Sequence, residues 1–412
     1  MDLVVTNIKQ LVTVAAGGER LRRGPAMREL GLLQDAAVVC RGGMIAWVGP
    51  MRELTVSEDL PEYNAEGMVV LPGFVDSHTH MMFAGDRSGE FAMRCAGATY
   101  QEIAASGGGI LSTVRHVRQA TKKELKRQTG RVLNELLRHG TTTVEIKSGY
   151  GLDTRSELRM LEAIAELARE EMATVFGTFI GAHAVPPEFA GRQAQYVALV
   201  VEEMLPLVAE RKLAAFCDVF CDTGYFTVAE SRQILSEGLR LGLQAKLHAE
   251  ELAAGEGAQL AVELGAVSCD HLEHVDERGM AALAASEVVA TLLPGVSFFL
   301  DHGYAPARAM IDRGVAVAIA SDFNPGSCMS YSMPLMMTIA CTQMHLTPEE
   351  AVTAATINGA AALGCSQTRG SIERGKAADL IVCDIPDYRH LAYHFGTNHV
   401  VRTIKQGTLL EW

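Results

Sequence analysis

Positive charge is in short supply in this 412-residue chain: 36 Lys and Arg stand against 49 Asp and Glu, a formal net charge of -13. That balance argues against a partner with a phosphate backbone, which calls for clustered basic residues. Small-molecule substrates stay open, because one local basic residue holds an anion whatever the sign of the whole. Long hydrophobic runs are missing too. The longest, VVATLLPGVSFFL at 288–300, is too short for a membrane span and contains a proline. No basic segment precedes the apolar residues of the N-terminal MDLVVTNIKQLVTV, so no secretory signal is expected. The nine cysteines are scattered, odd in number and mostly in apolar surroundings, and read as reduced; Cys217 and Cys221, the only close pair, read as buried strand residues. Low-complexity tracts and fixed-period repeats are absent as well. These absences leave a cytoplasmic globular protein, with neither a nucleic acid nor a membrane as partner.

At this length one large domain plus a smaller one is expected. Residues 1–65 alternate short Val/Ile/Leu runs with turns, and residues 368–412 repeat that style in GSIERGKAADLIVCD and HVVRTIKQGTLLEW. The two ends are therefore expected to meet as a composite β-sandwich domain. Between them, residues 66–367 alternate β-branched runs with amphipathic helical patterns, which is the signature of parallel strands joined by crossover helices. The runs are VVLPGFVDSHTH, TTTVEIKS, TVFGTFIGAHAV, AAFCDVFCD, LQAKLHAE, AVSCDHLEH, VVATLLPGV and VAVAIASDFNPG. Such units close naturally into an α/β fold of the (β/α)8 TIM-like barrel type. Four segments fit a helix capping box, namely Thr121–Glu124, Thr154–Glu157, Thr227–Glu230 and Thr347–Glu350. Gly140 and Gly364 stand where left-handed residues would end helices.

Function in such barrels gathers at the C-terminal strand ends. His78 and His80, His183, His248, His271 and Asp322 all fall there. Residues i and i+2 on a strand face the same way, so His78 and His80 can clasp one cation from one side. His248 and Asp322 would complete its protein ligands and leave an open position, the mark of a catalytic rather than a structural ion. Glu251, three residues past His248, is placed for proton transfer. His271 suits either a hydrogen bond to water or substrate or a fourth imidazole ligand. Lys147 raises the question of a carbamylated lysine between two ions, but its place on the second strand favours one ion. His116, His139, His345, His390, His394 and His399 are read as surface residues.

Taken together, PGFVDSHTH, the later His248 and Asp322, and the tail GKAADLIVCD resemble the amidohydrolase superfamily. The resemblance runs nearly end to end. A finer set is similar to its members that open the ring amide of 4-imidazolone-5-propanoate to N-formimidoyl-L-glutamate in L-histidine degradation. That set comprises FAGDRSGEF, ATYQEIAASGGGI, VEIKSGYGLD, GAHAVPPEF, KLHAEEL, SCDHLEH, SDFNPGSC and SMPLMM. The resemblance implies one zinc or iron ion per subunit on His78, His80, His248 and Asp322. It implies substrate contacts from Arg87, Tyr150, His183, Glu251, Asn324, Gly326 and Ser327, with Glu251, His271 and Asp322 catalytic. Arg87 suits the propanoate tail through its planar fork. Relatives of this barrel often dimerise, which leaves a homodimer as one possible assembly, though no residue of the sequence points to it. Two other readings remain: a deaminase of a nucleobase-like ring, which uses a similar His/Asp set, and a non-catalytic scaffold, which would have lost ligand residues.

Overall fold

The computed structural model describes residues 1–55, 60–99, 102 and 107–411. Of the stretch ATYQEIAASGGGI, residues 100, 101 and 103–106 lie outside the described residues. Five strands come first: β1 (Leu3–Val12), β2 (Leu32–Arg41), β3 (Met44–Pro50), β4 (Glu62–Asn64) and β5 (Val69–Pro72). Eight parallel strands follow, each paired with its sequence neighbour: β6 (Phe74–Asp76), β7 (Thr141–Lys147), β8 (Thr174–Ala182), β9 (Phe216–Cys221), β10 (Gln244–Ala249), β11 (Ser268–His271), β12 (Val289–Leu292) and β13 (Val317–Ile319). Strands β14 (Leu380–Cys383), β15 (Val400–Lys405) and β16 (Thr408–Leu409) return to the first group. There they complete a mixed sheet of order β16-β15-β14-β5-β1-β2-β3, with β4 on β1.

The parallel set is an α/β barrel, and its seam is closed just beyond the ends of β6 and β13. Thr79 bridges Phe323 in parallel register. The Asp322 amide donates to His78 O at 3.0 Å, and the His80 amide donates to Phe323 O at 3.0 Å. Beneath them the buried Asp76 carboxylate accepts the Ser321 amide at 2.9 Å and the Ser321 hydroxyl at 2.5 Å. The first and last strands thus meet at the level of the candidate ligands.

Sequence and structure differ in three places. The run VVLPGFVDSHTH is shared between the sheets: Val69–Pro72 pairs with β1 and β14, and only Phe74–Asp76 enters the barrel. The divider is Gly73, where a Cβ would overlap the Thr142 side chain, so backbone and strand β7 approach too closely for any side chain. The helix Thr154–Glu170 is capped by Asp153, whose side chain accepts from Ser156, and not by Thr154. The other three boxes form as expected at Thr121, Thr227 and Thr347. His399 is buried, with Nε2 2.8 Å from His394 O.

Period-two alternation explains how the terminal sheet holds on. Val69, Leu71, Ile381 and Cys383 face the barrel's core, while Val70, Leu380 and Val382 face the sheet's own core with Val5, Ile8 and Val38. On β15 the irregular register opposite Cys383 puts Val400 in the first core and Ile404 in the second. Full burial of each large aliphatic side chain contributes about 1.5–3 kcal/mol. A polar staple adds to this. Buried Asn358 accepts from the Arg22 amide at 2.9 Å and donates to Arg22 O at 2.9 Å and Val317 O at 2.8 Å, tying the segment after β1 to β13. Asn358→Ala orphans those backbone groups, each worth about 1–3 kcal/mol when buried unpaired. Thermal unfolding should show a clearly lowered midpoint, and an unchanged one would mean that this staple holds nothing.

Candidate active site

Past β6 the chain stays extended, so Ser77–His80 alternate. Thr79 turns outward and donates to Glu145 O at 2.6 Å, while His78 and His80 turn into the barrel mouth. His248 arrives from β10, and Asp322 from just past β13, on a left-handed backbone (φ 46°). His271 and Leu272 are also left-handed, at φ 78° and 69°. Non-glycine residues held this way cost about 1–3 kcal/mol each and cluster at functional sites.

Four atoms face one point. His80 Nε2 lies 3.2 Å from His248 Nε2, and Asp322 Oδ1 lies 3.5 Å from His78 Nε2 and 3.7 Å from His80 Nε2. Ligands about 2.1 Å from a tetrahedral ion stand roughly 3.4 Å apart. His78 Nε2 and Asp322 Oδ1 are buried with no hydrogen-bond partner, although buried polar atoms are ordinarily paired. The rings are uncharged: burial drives His78 and His80 well below the usual histidine range and His248 down to about 4. Burial also pushes the Asp322 carboxyl up to about 8, and this set of neutral imidazoles and a carboxyl group that burial keeps from ionising cheaply fits a divalent cation.

The rest of the constellation lines one cavity of about 420 Å³: Arg87, Tyr150, His183, Glu251, His271, Asn324, Gly326 and Ser327, with His80, His248 and Asp322 at its floor. His183 stacks on His80 at 4.7 Å, and its Nδ1 sits 3.0 Å from Gly149 O, which fixes the proton there and turns a bare Nε2 toward the cavity. Burial raises the Tyr150 phenol above its usual range, so it remains a donor. Asn324 is set by its own loop: its Oδ1 accepts the Gly326 and Ser327 amides at 2.8 Å each, and its Nδ2 donates to Ser327 Oγ at 2.7 Å. Gly326 lies against the Arg87 guanidinium, so that a methyl group there would push that arginine from its place. Arg87 itself pairs with Glu90 through Nε at 3.0 Å and Nη2 at 2.9 Å.

His271 stands between two acids, with Nε2 3.5 Å from Glu251 Oε2 and Nδ1 3.6 Å from Glu273 Oε2. Burial opposes its charge, but the two carboxylates outweigh it and push its pKa up to about 10. Burial also raises the Glu251 carboxyl, against the pull of His271. Glu250 points away, accepting from the Ala258 amide at 3.3 Å. Cys328 packs beside Gly295 and Met336 in the core, outside the cavity lining.

Sequence reasoning missed Asp218, Asp270, Glu145, Lys246, Glu90, Arg94, Glu157 and Glu273. A signal existed: Glu145, Asp218, Lys246 and Asp270 are charged residues inside short runs that read as barrel strands, where charge persists only if paired. Lys147 is fully buried among Glu145, Asp218 and Asp270. Burial opposes its charge, yet those carboxylates hold its pKa above the usual lysine range, which removes the neutral amine that carbamylation needs.

A family model for the amidohydrolase family matches residues 69–410. An imidazolonepropionase of Symbiobacterium thermophilum is 49% identical over 100% of this chain and 97% of its own length, and one of Parabacteroides distasonis is 47% identical over 99% and 98%. The chain belongs to the imidazolonepropionase family of amidohydrolases. It is therefore a hydrolase of a metal-dependent family, and its His/Asp group has the make-up of a metal site. Solved structures share the fold at low identity. Escherichia coli guanine deaminase aligns with a TM-score of 0.74 at 16% identity over 100% of this chain and 99% of its own, and a zinc-bound adenosine deaminase of Xanthomonas campestris with 0.72 at 18% over 99% and 92%. Among the described residues no helix is long and apolar enough to cross a membrane.

Glu157, freed from capping, accepts the amides of Gly149, Gly151 and Leu152 at 2.7–3.2 Å and so shapes the loop carrying Tyr150. Glu157→Gln turns one acceptor into a donor facing those amides. Hydrogen exchange at Gly149–Leu152 should quicken about tenfold for each 1.4 kcal/mol of local stability lost. Unchanged exchange would show that the loop is held by something else.

Proposed function

We propose that this chain hydrolyses the ring amide of 4-imidazolone-5-propanoate to N-formimidoyl-L-glutamate. The reading is carried by one observation: a cavity with a His/Asp cation site at its floor has an arginine among its lining residues, matching a small ring with a carboxylate tail. In this reading residues 66–367 are the catalytic unit and residues 1–65 with 368–412 support it, the strand Val69–Pro72 crossing between them.

His78, His80, His248 and Asp322 would hold one zinc or iron ion, since imidazole and carboxylate donors suit both. When bound, that ion supplies Lewis-acid chemistry, lowering the pKa of a water and polarising a carbonyl. The protein's own groups do the rest. Arg87 engages the propanoate with the guanidinium edge not given to Glu90. His183 Nε2 accepts from a ring N–H and Tyr150 donates to a ring acceptor, while Asn324, whose Nδ2 already donates to Asp322 O and Ser327 Oγ, shapes the loop against which the ring lies. His271, set between Glu251 and Glu273, donates to the carbonyl oxygen as negative charge grows there. Water adds to the carbonyl carbon. Glu251, with Asp322 beside the same water, takes its proton and passes it to the ring nitrogen as the C–N bond breaks.

Two measurements check this. Purified protein should consume the imidazolone with loss of its ultraviolet band and no release of ammonia; ammonia would mark a deaminase instead. Glu251→Gln should keep its metal content and lose about 10²–10⁴ of turnover, the usual worth of a proton-transfer group. An unimpaired variant would remove Glu251 from the chemistry.

A further inference from the structure

Below the cation site lies a fully buried group of charges that the reaction as written does not use. Lys147 Nζ sits 2.8 Å from Asp218 Oδ2, 2.9 Å from Glu145 Oε2 and 3.7 Å from Asp270 Oδ2, and all four side chains are shut off from solvent. The two aspartates look the other way as well. Asp270 Oδ2 is 2.7 Å from His78 Nδ1, and Asp218 Oδ2 is 3.0 Å from His248 Nδ1. One ammonium thus stands between two carboxylates, each of which touches the back of a different histidine of the cation site.

We propose that Lys147 is a positioning residue: it clamps Asp218 and Asp270 so that His248 and His78 carry their protons on Nδ1 and present bare Nε2 atoms to the cation. This rests on the cation-site reading above and deepens it. The physics is electrostatic. Three carboxylates packed in one dry place repel one another strongly, and Lys147 with Lys246 is what holds them together. Lys246 stands about as far from Asp270 Oδ2, at 3.8 Å against 3.7 Å for Lys147, but its short contacts go to Glu145 Oε2 at 3.0 Å and Ser77 O at 2.9 Å, and what sets Lys147 apart is its 2.8 Å bond to Asp218 Oδ2. Removing Lys147 leaves Asp218 without its lysine partner, while removing Lys246 leaves both aspartates on Lys147. Each imidazole is correctly aimed only while its carboxylate is fixed, because the proton on Nδ1 sets both tautomer and ring angle.

The test uses Co²⁺ as probe on the full chain, with affinity read by chelator competition and geometry by the visible absorption of the bound ion. Lys147→Met, close in shape and uncharged, should bind about 10–100-fold more weakly, the usual cost of losing an outer partner of a metal-bound histidine, with an altered visible spectrum. Lys246→Met should bind nearly as the wild type does. Equal affinity and spectrum for Lys147→Met and wild type would overturn the clamp while leaving the cation site standing; so would an equal loss in both lysine variants. A wild type that binds no Co²⁺ at this site would bring down the functional reading and the clamp together. An independent readout needs no variant: in cation-free, ¹⁵N-histidine-labelled wild type, His78 and His248 should be in the Nδ1–H form, and an Nε2–H form at either ring overturns the clamp.

Discussion

Lone pairs that face one another in a dry cavity are the constraint on which this molecule turns. His80 Nε2 and His248 Nε2 stand 3.2 Å apart, and Asp322 Oδ1 sits 3.5 Å from His78 Nε2 and 3.7 Å from His80 Nε2. A neutral imidazole has a single N–H, so these atoms cannot all satisfy one another, and a buried carboxylate cannot be left alone at low cost. A cation at their common focus relieves all of them together. The fold keeps the groups in place through the barrel seam, where β6 and β13 exchange backbone bonds at His78, His80 and Asp322 themselves. Ring closure and ligand assembly are therefore one structural event.

The layers around that focus divide the labour by charge. Nearest the base, Asp218 and Asp270 back the histidines and Lys147 balances them. At the mouth, Glu251 and Glu273 keep His271 positive, and Glu90 accepts from Nε and Nη2 on one edge of Arg87. An acidic protein thus keeps its cationic groups where an anionic substrate tail and a developing negative oxygen would meet them. The terminal sheet takes no part in the cavity lining and contributes through packing, with alternate residues of β5 and β14 serving two cores.

Much of this was legible from residue order alone. Eight strand-then-helix units and the HxH pair are local patterns: alternation, caps and i, i+2 spacing need no knowledge of distant contacts. The cavity residues came largely from motif resemblance, and the structure brings every one of them to a single cavity or to its floor. What stayed hidden depends on partners far apart in sequence. Asp270 lies 192 residues from the His78 it touches, and nothing about SCDH announces which ring it will back. Glu157 looked like a capping residue because Thr154 stands at the right spacing, yet Asp153 caps better placed by one residue, and the glutamate turns inward to a loop instead. Gly73 divides one apolar run between two sheets for a steric reason visible only when Thr142 is beside it.

The most direct measurement is anomalous X-ray scattering from crystals of the zinc-loaded protein. The expected result is one strong peak about 2.0–2.2 Å from His78 Nε2, His80 Nε2, His248 Nε2 and an Asp322 oxygen. A peak held instead by Glu145 and Asp270, or one that leaves any of those four side chains beyond bonding reach, would contradict it.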